Sequence, residues 1–513
     1  MQDSKFNSKH FLIIFVILII LHSFLIMNLR FIPFVDLPNH LAAATIYKFY
    51  EEDSNSFDNY YQVDPELRPN TFHFYFCSLP IFPSVEFANK IFYIVYIVLF
   101  PLSVLFLIRK TNGNPWISLL SFPLLYSFSI GWGFVGFTMA IPVILFMLGL
   151  KIDYFQKITP KNSIILSALF VILFFIHGIA ALFAVLIFLI LAIAYCNRSP
   201  MRLVKSLLIL LPFVTLYIFW YNVKSGGYSF TEVTSYLSDY YSSQYFERFT
   251  DRFGLIILHN NRLFEGIAGT LFSLVIFLAI AFPLLSEIKA HGKALISRIK
   301  KDSKKFIFIF GIVSLLCCFF LPRDVLLDPS LLYQRFAIFF VLSILILGGS
   351  HIFKRHKNKI IFGIIALCIV HFALYSQYFL NFQNENKVFN SKYFPEGRKD
   401  AKLAYMPIDI GYRGHPVYIH FQNYYIIWNK GIATTALTQY VFGAVKRKAD
   451  RKTLPPHSAW MSIADEYYGQ YQNMDYILFR GDMNADLAMH LIKAEGFKLL
   501  KFDGTWGLFG KSR

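Results

Sequence analysis

The stretch FLIIFVILIILHSFLIMNLR, residues 11–30, runs directly into Phe31-Ile-Pro-Phe-Val-Asp-Leu-Pro-Asn-His40, and that junction decides how the chain is read. The first part is apolar over about 20 residues, the length that crosses a bilayer as a helix. Lys5 and Lys9 precede it, as in a secretory signal, but no small-residue cleavage site follows. An uncleaved first span is therefore expected. The second part opens, at Asp36, an amphipathic stretch reaching about Tyr50. Ala42, Ile46, Phe49 and Tyr50 recur at i, i+4, i+7 and i+8, the pattern of a helix lying on or against a membrane interface. Such a helix holds Asp36 near headgroup depth, where a carboxylate is placed to act on a lipid-borne substrate.

The rest of the chain repeats the apolar theme. Of 513 residues, 56% are hydrophobic and 19% aromatic, and further runs fall near 87–108, 116–130, 134–150, 164–176, 179–195, 203–221, 264–285, 306–321, 336–352 and 360–380. With the first, these make eleven expected spans, so the fold class is mainly α, a polytopic transmembrane helical bundle. The net charge of +18 is not a nucleic-acid footprint, because its distribution alternates. With the N-terminus inside, the short inner segments carry 21 lysines and arginines and the outer segments before the tail carry eight. The positive-inside rule then gives an N-in, C-out topology. Five cysteines show no metal-ligand spacing and support neither a disulfide framework nor a zinc site. The inner connections are short, and no phosphate-cradling Gly-x-x-x-x-Gly-Lys-Ser/Thr loop is present, which argues against ATP-driven transport by this chain alone.

Domain organisation follows from where polar residues return. Outer loops are expected at 31–86, 222–262 and 322–334 within a membrane domain of residues 1–380, with a small α/β extracytoplasmic domain at 381–513. In that tail, 474–480 reads as a strand, 485–495 as a helix and 498–502 as a second strand. Asp503-Gly504 supplies a turn signal before Trp506-Gly-Leu-Phe509. No internal repeat of the transporter kind is evident.

Each candidate residue has a chemical and a structural reading. Asp36 can act as a base, or cap the following helix with Pro38 in its first turn. His40, about one turn on, can share a site with Asp36 or serve as a structural residue. Asp64 and Glu66, in Asp64-Pro-Glu-Leu-Arg-Pro-Asn70, offer a second carboxylate or a solvated turn. Arg335, at the outer start of the tenth span, has the fork that grips a phosphate, or is an interfacial anchor pairing with Asp324 or Asp328. Arg262, Arg252 and Arg323 are weaker candidates of the same kind. His177 divides two apolar runs at the outer surface and can donate to a phosphate or hydroxyl, or cap a helix hairpin. Gly131, Gly133 and Gly136 point to a tight turn or close helix contact. His415 and His420, followed by Tyr424 and Tyr425, read as domain packing that also suits sugar stacking.

Val35-Asp-Leu-Pro-Asn-His-Leu41, Gly131-Trp-Gly-Phe-Val-Gly-Phe137, His177-Gly178 and Tyr333-Gln-Arg-Phe336, set in this architecture, carry a family resemblance. The chain resembles the GT-C fold glycosyltransferases, among them the protein mannosyltransferases and the aminoarabinose transferases of lipid A. The resemblance implies transfer of a sugar from a polyprenyl-phosphate donor to a lipid, glycan or protein acceptor, on the outer face of the plasma (inner) membrane. It implies a base or acceptor-positioning role for Asp36 and a phosphate-binding role for Arg335, while His40, His177, Glu66 and Arg262 are candidate substrate contacts on the residue readings above. The paired acidic residues common in that first outer loop are absent, since Leu37 follows Asp36, so no metal ligand is assigned and a divalent cation is left open. Two other classes compete. A transporter or lipid flippase would place ionisable residues deep in the spans, where His22 and His371 are the main candidates. An O-antigen ligase or polymerase would carry its main outer loop late between spans, whereas here the larger outer mass is terminal. A non-catalytic envelope scaffold is the fourth reading.

Overall fold

The computed structural model describes residues 7–64, 67–196, 199–223, 230–245, 249–258, 266–292, 303–324, 331–348, 352–395, 400–433, 435, 438, 443–448, 473–483, 492 and 496–511. The chain forms two compact units, one of residues 1–27, 67–70 and 93–377, the other of residues 28–66, 71–92 and 378–513.

All eleven apolar segments contain helix. Seven helices are long and apolar enough to cross a membrane: Ser8–Asn28, Val85–Lys110, Val135–Gln156, Gly178–Cys196, Pro200–Tyr221, Ile267–His291 and Lys357–Glu385. Pro115–Gly131, Pro160–Ile176 and Tyr333–Leu347 are shorter apolar helices, and Lys304–Phe320 has 17 residues. The fold is that of a multi-pass membrane protein. Local chemistry sets the helix starts in the first unit. Thr159 and Ser199 accept from the backbone N–H groups of Asn162 and Arg202, and Pro160 and Pro200 follow them in the first turn, where a missing N–H is harmless. The segment near 116–130 is not a regular α-helix. Pro115–Leu124 is a 3-10 helix, with Pro123 inside it unable to donate, and a separate turn at Phe128–Gly131 follows.

The second unit holds a mixed sheet. Its strands are β1 (Tyr61–Val63), β2 (Lys402–Pro407), β3 (Ile432–Ala433), β4 (Val445–Arg447), β5 (Tyr476–Arg480), β6 (Phe497–Phe502) and β7 (Trp506–Lys511). Five run in the order β3-β2-β5-β7-β6, while β1 pairs with β4 alone. β2 is parallel to β3 and to β5, with Leu403 opposite Ala433 and Tyr476. β7 is antiparallel to β5 and β6, and the Asp503 carboxylate closes the turn between β6 and β7 by accepting from the N–H groups of Thr505 and Trp506. β6 is the edge, mostly exposed, and carries Lys498 and Lys501, a common defence against edge-to-edge pairing. Both C-terminal strands match the sequence expectation. The helix expected at 485–495 lies outside the described residues apart from Ile492.

Helix Leu37–Lys48 belongs to this unit, and it is enclosed rather than laid flat. Leu41, Ala42, Ala43, Ala44 and Ile46 are all buried, and the helix packs against helices Asn423–Asn429 and Phe72–Ser78. Alanine on several faces lets two helices approach at once, which a single amphipathic stripe does not foretell.

Candidate active site

Asp36 is the N-cap residue of helix Leu37–Lys48, yet its side chain caps nothing. Its backbone is helical, with φ −85° and ψ −4°, so the carboxylate swings away from the first-turn N–H groups. Its Oδ1 lies 3.2 Å from Nε2 of His420, whose side chain is 5% exposed against 29% for Asp36. One carboxylate oxygen is thus held from the buried side while the group keeps access to solute. The neighbourhood is firmly tied. Asn423 Nδ2 and Thr435 Oγ1 both donate to Asn39 Oδ1, at 2.7 and 3.1 Å. At the entrance to this segment, Gln383 accepts from the N–H groups of Arg30 and Phe31 and returns a bond to the Phe31 carbonyl. The Phe31 ring then sits among Phe389, Phe421, Tyr424 and Trp428.

The first unit contains a second pair of different character. His177 ends helix Pro160–Ile176 and precedes helix Gly178–Cys196. Its Nδ1 accepts from the N–H of Ala180 at 3.2 Å, so the ring caps the second helix, while Gly178 N–H is taken by Asn70 Oδ1 at 2.9 Å. In the tautomer that accepts this bond, Nδ1 is bare and Nε2 carries the hydrogen. Arg335 Nη1 lies 3.2 Å from that same Nε2. A guanidinium can only donate, so Arg335 bonds Nε2 in the other tautomer, and the two donors compete for one ring. The Arg335 carbon stands 3.8 Å over the Phe134 ring and 5.7 Å from the Phe137 ring. Both polar side chains are buried, at 8% exposure for Arg335 and 7% for His177. Stacking on aromatic faces offsets part of the cost of burying the cation. Two of the three glycines nearby have a defined task. Gly133 takes φ +79° in the turn before helix Val135–Gln156, and a Cβ on Gly136 would stand 2.5 Å from the Ile176 carbonyl oxygen, next to His177.

Other expected site residues go elsewhere. His40 stands edge-on to His73, ring centres 5.7 Å apart, and His73 Nε2 pairs with Asn89 Oδ1 at 2.9 Å. Burial, helped by His40, pushes His73 down to about 3, so it is neutral. Asp64 pairs with Lys446 at 3.7 Å. Arg252 is fully buried and donates to the carbonyls of Cys318, Phe319 and Leu321 and to the Tyr240 hydroxyl. It closes the C-terminal end of helix Lys304–Phe320, where a cation also meets the negative helix pole. Arg323 lies 3.8 Å from Asp324. Glu66, Arg262 and Asp328 lie outside the described residues. Among the described residues no group of three or more His, Cys, Asp or Glu side chains could hold a metal ion. Asp36 with His420 offers two ligands, which does not make a divalent-cation site. His420 is the residue that sequence reasoning set aside as packing. The only signal was a histidine amid Phe421, Gln422 and Asn423, a polar break in an aromatic run.

No protein-family model matches the sequence, and no curated protein matches it. Seven chains of solved structures do match the fold. ArnT from Cupriavidus metallidurans bound to undecaprenyl phosphate aligns with a TM-score of 0.56 at 10% identity, covering 98% of each chain. The same protein in the apo state aligns with a TM-score of 0.55 at 9% identity and the same coverage. The chain is thus similar in overall fold to this protein along nearly its whole length.

Proposed function

We propose that this protein transfers a sugar from a polyprenyl-phosphate donor to a lipid, glycan or protein acceptor at the outer face of the plasma (inner) membrane, with residues 381–513 outside. The observation that carries the reading is the buried Arg335 guanidinium, stacked on Phe134 and facing His177 Nε2. A buried cation with a fork of N–H donors suits an oxyanion, and a phosphate diester supplies one. The fold adds support, because a protein of the same architecture has been seen with undecaprenyl phosphate bound.

In this reading the chemistry is a displacement at the anomeric carbon. The acceptor hydroxyl gives its proton to Asp36 as its oxygen bonds the sugar. The bond from the sugar to the phosphate oxygen breaks, and its electron pair leaves with the carrier phosphate. Stabilising the charge that grows there is worth most in a water-poor setting. A carboxylate is a weak base, but a positioned one suffices when the proton moves late. The test is Asp36→Asn in the full-length protein: transfer is lost while membrane insertion and binding of undecaprenyl phosphate persist. Full transfer by that variant would overturn the reading.

One observation favours a second reading, a transporter or flippase. His22 is buried within the first span, and its Nδ1 lies 2.9 Å from the Tyr126 hydroxyl. Buried polar pairs inside spans often mark transport paths. That reading expects His22→Leu to be inactive and Asp36→Asn to be active, the reverse of the transferase.

A further inference from the structure

We propose that His420 is the positioning residue for Asp36: it donates Nε2–H to Oδ1 from the buried side and so presents Oδ2 to the acceptor hydroxyl. This rests on the transferase reading above and names a residue which that reading does not require.

Three observations combine. Asp36 has given up the capping role that its place at the head of a helix would assign, and its oxygen is found on His420 instead. The partner is the more deeply buried of the two, so it is a fixed part of the frame and the carboxylate is the part that meets solute. The short segment bearing His420 is clamped on both sides. Two residues before it, Tyr418 donates to Glu385 at 2.6 Å, its hydroxyl accepts from Asn386 Nδ2 at 2.9 Å, and its carbonyl accepts from the Tyr405 hydroxyl at 2.6 Å. The Arg480 guanidinium stacks on the Tyr418 ring at 3.4 Å and donates to Glu385 and Asp409. Three residues after His420, Asn423 returns its N–H to the His420 carbonyl and its side chain to Asn39, on the helix that Asp36 begins. A donor held this rigidly fixes the carboxylate plane, and orientation of a base within a fraction of an ångström is what proton removal in a displacement needs.

Formation of the glycosidic bond still places the acceptor proton on Asp36 Oδ2, and the His420 hydrogen stays on Nε2 throughout. A glutamine at 420 keeps an N–H donor of similar reach, whereas phenylalanine keeps the ring volume and removes the donor. Each full-length variant is reconstituted in lipid nanodiscs and its affinity for undecaprenyl phosphate measured. Each is also returned to the native host lacking the gene, where the missing lipid or glycan product is quantified by mass. His420→Phe is expected to lower product formation about a hundredfold, His420→Gln to retain it within about tenfold, and both to bind undecaprenyl phosphate as wild type does. His420→Leu serves as the donor-free variant should the phenylalanine form not fold. Wild-type product with His420→Phe or His420→Leu beside an inactive Asp36→Asn overturns the positioning role and leaves the transferase reading standing. Equal loss in His420→Gln and His420→Phe also overturns it. An active Asp36→Asn removes the transferase reading itself.

Discussion

The pair Asp36–His420 and the pair His177–Arg335 each bring a histidine nitrogen 3.2 Å from an ionisable side chain, yet the chemistry available to them is opposite. In the first, a donor meets an acceptor, the histidine is buried and the carboxylate is open, so the arrangement can take up a proton. In the second, the histidine faces a guanidinium, both side chains are buried against Phe134 and Phe137, and the buried cation calls for an anion. What separates them is the charge of the partner, an open carboxylate in one and a buried guanidinium in the other. Ala180 N–H also faces Nδ1 of His177, so that ring cannot accept from both donors in one neutral tautomer. A histidine near a charged residue therefore says nothing about its role until the second nitrogen is accounted for.

The contrast breaks first at Asp36. Asp36→Asn should lower transfer by about 10²- to 10⁴-fold, the usual contribution of a general base, with undecaprenyl phosphate affinity unchanged. Arg335→Gln should do the reverse, weakening undecaprenyl phosphate binding about 10- to 100-fold, the range of a charge-assisted hydrogen bond. Arg335→Lys should recover little, because lysine has neither the planar fork nor the stacking on Phe134. A titration of nanodisc-embedded variants checks both.

Arg252 sharpens the comparison by being an arginine of the other sort. Arg252→Gln should cost about 3 kcal/mol of stability, by exposing three helix-end carbonyls without their donor, while the fraction that folds binds undecaprenyl phosphate normally. Gly136→Ala should cost about 2 kcal/mol, since its Cβ would press on the Ile176 carbonyl beside His177. It should weaken undecaprenyl phosphate binding alongside stability, whereas Arg252→Gln should not. Thermal unfolding with and without undecaprenyl phosphate separates the two.

The smallest effect concerns Lys430, in the tail unit. Burial, against the pull of Glu86 and Glu52, pushes its ammonium down to about 8. The unfolded chain holds that proton up to about 10.4, so between pH 8 and 10 the unfolded state binds more protons and stability rises with pH. The gain is on the order of 1 kcal/mol after allowing for partial exposure. Lys430→Met should flatten that part of the stability profile, which thermal unfolding across the pH range reads directly.

Much of the bundle was legible because the length and apolarity of a span are local properties. The turn between β6 and β7 was legible because Asp503-Gly504 punctuates it. Asp36, His177 and Arg335 could each be singled out from position and residue type. Their partners could not, because pairing across the chain is settled by packing. Nothing near His420 says that it will face Asp36, and nothing near Arg252 distinguishes a phosphate ligand from a cation that closes a helix end. Helix Leu37–Lys48 misled for a related reason. Its stripe of Ala42, Ile46, Phe49 and Tyr50 suggested one apolar face, while Ala43 and Ala44 made the other faces small enough to be enclosed.

The central claim is sugar transfer from a polyprenyl-phosphate carrier with Asp36 as base. The most direct measurement is mass spectrometry of lipid and glycan fractions from native-host cells carrying the wild-type gene, no gene, or Asp36→Asn. The account predicts that Asp36→Asn cells lose the same glycosylated product as cells without the gene and accumulate the sugar on its polyprenyl-phosphate carrier. Recovery of the product at wild-type level in Asp36→Asn cells would contradict it.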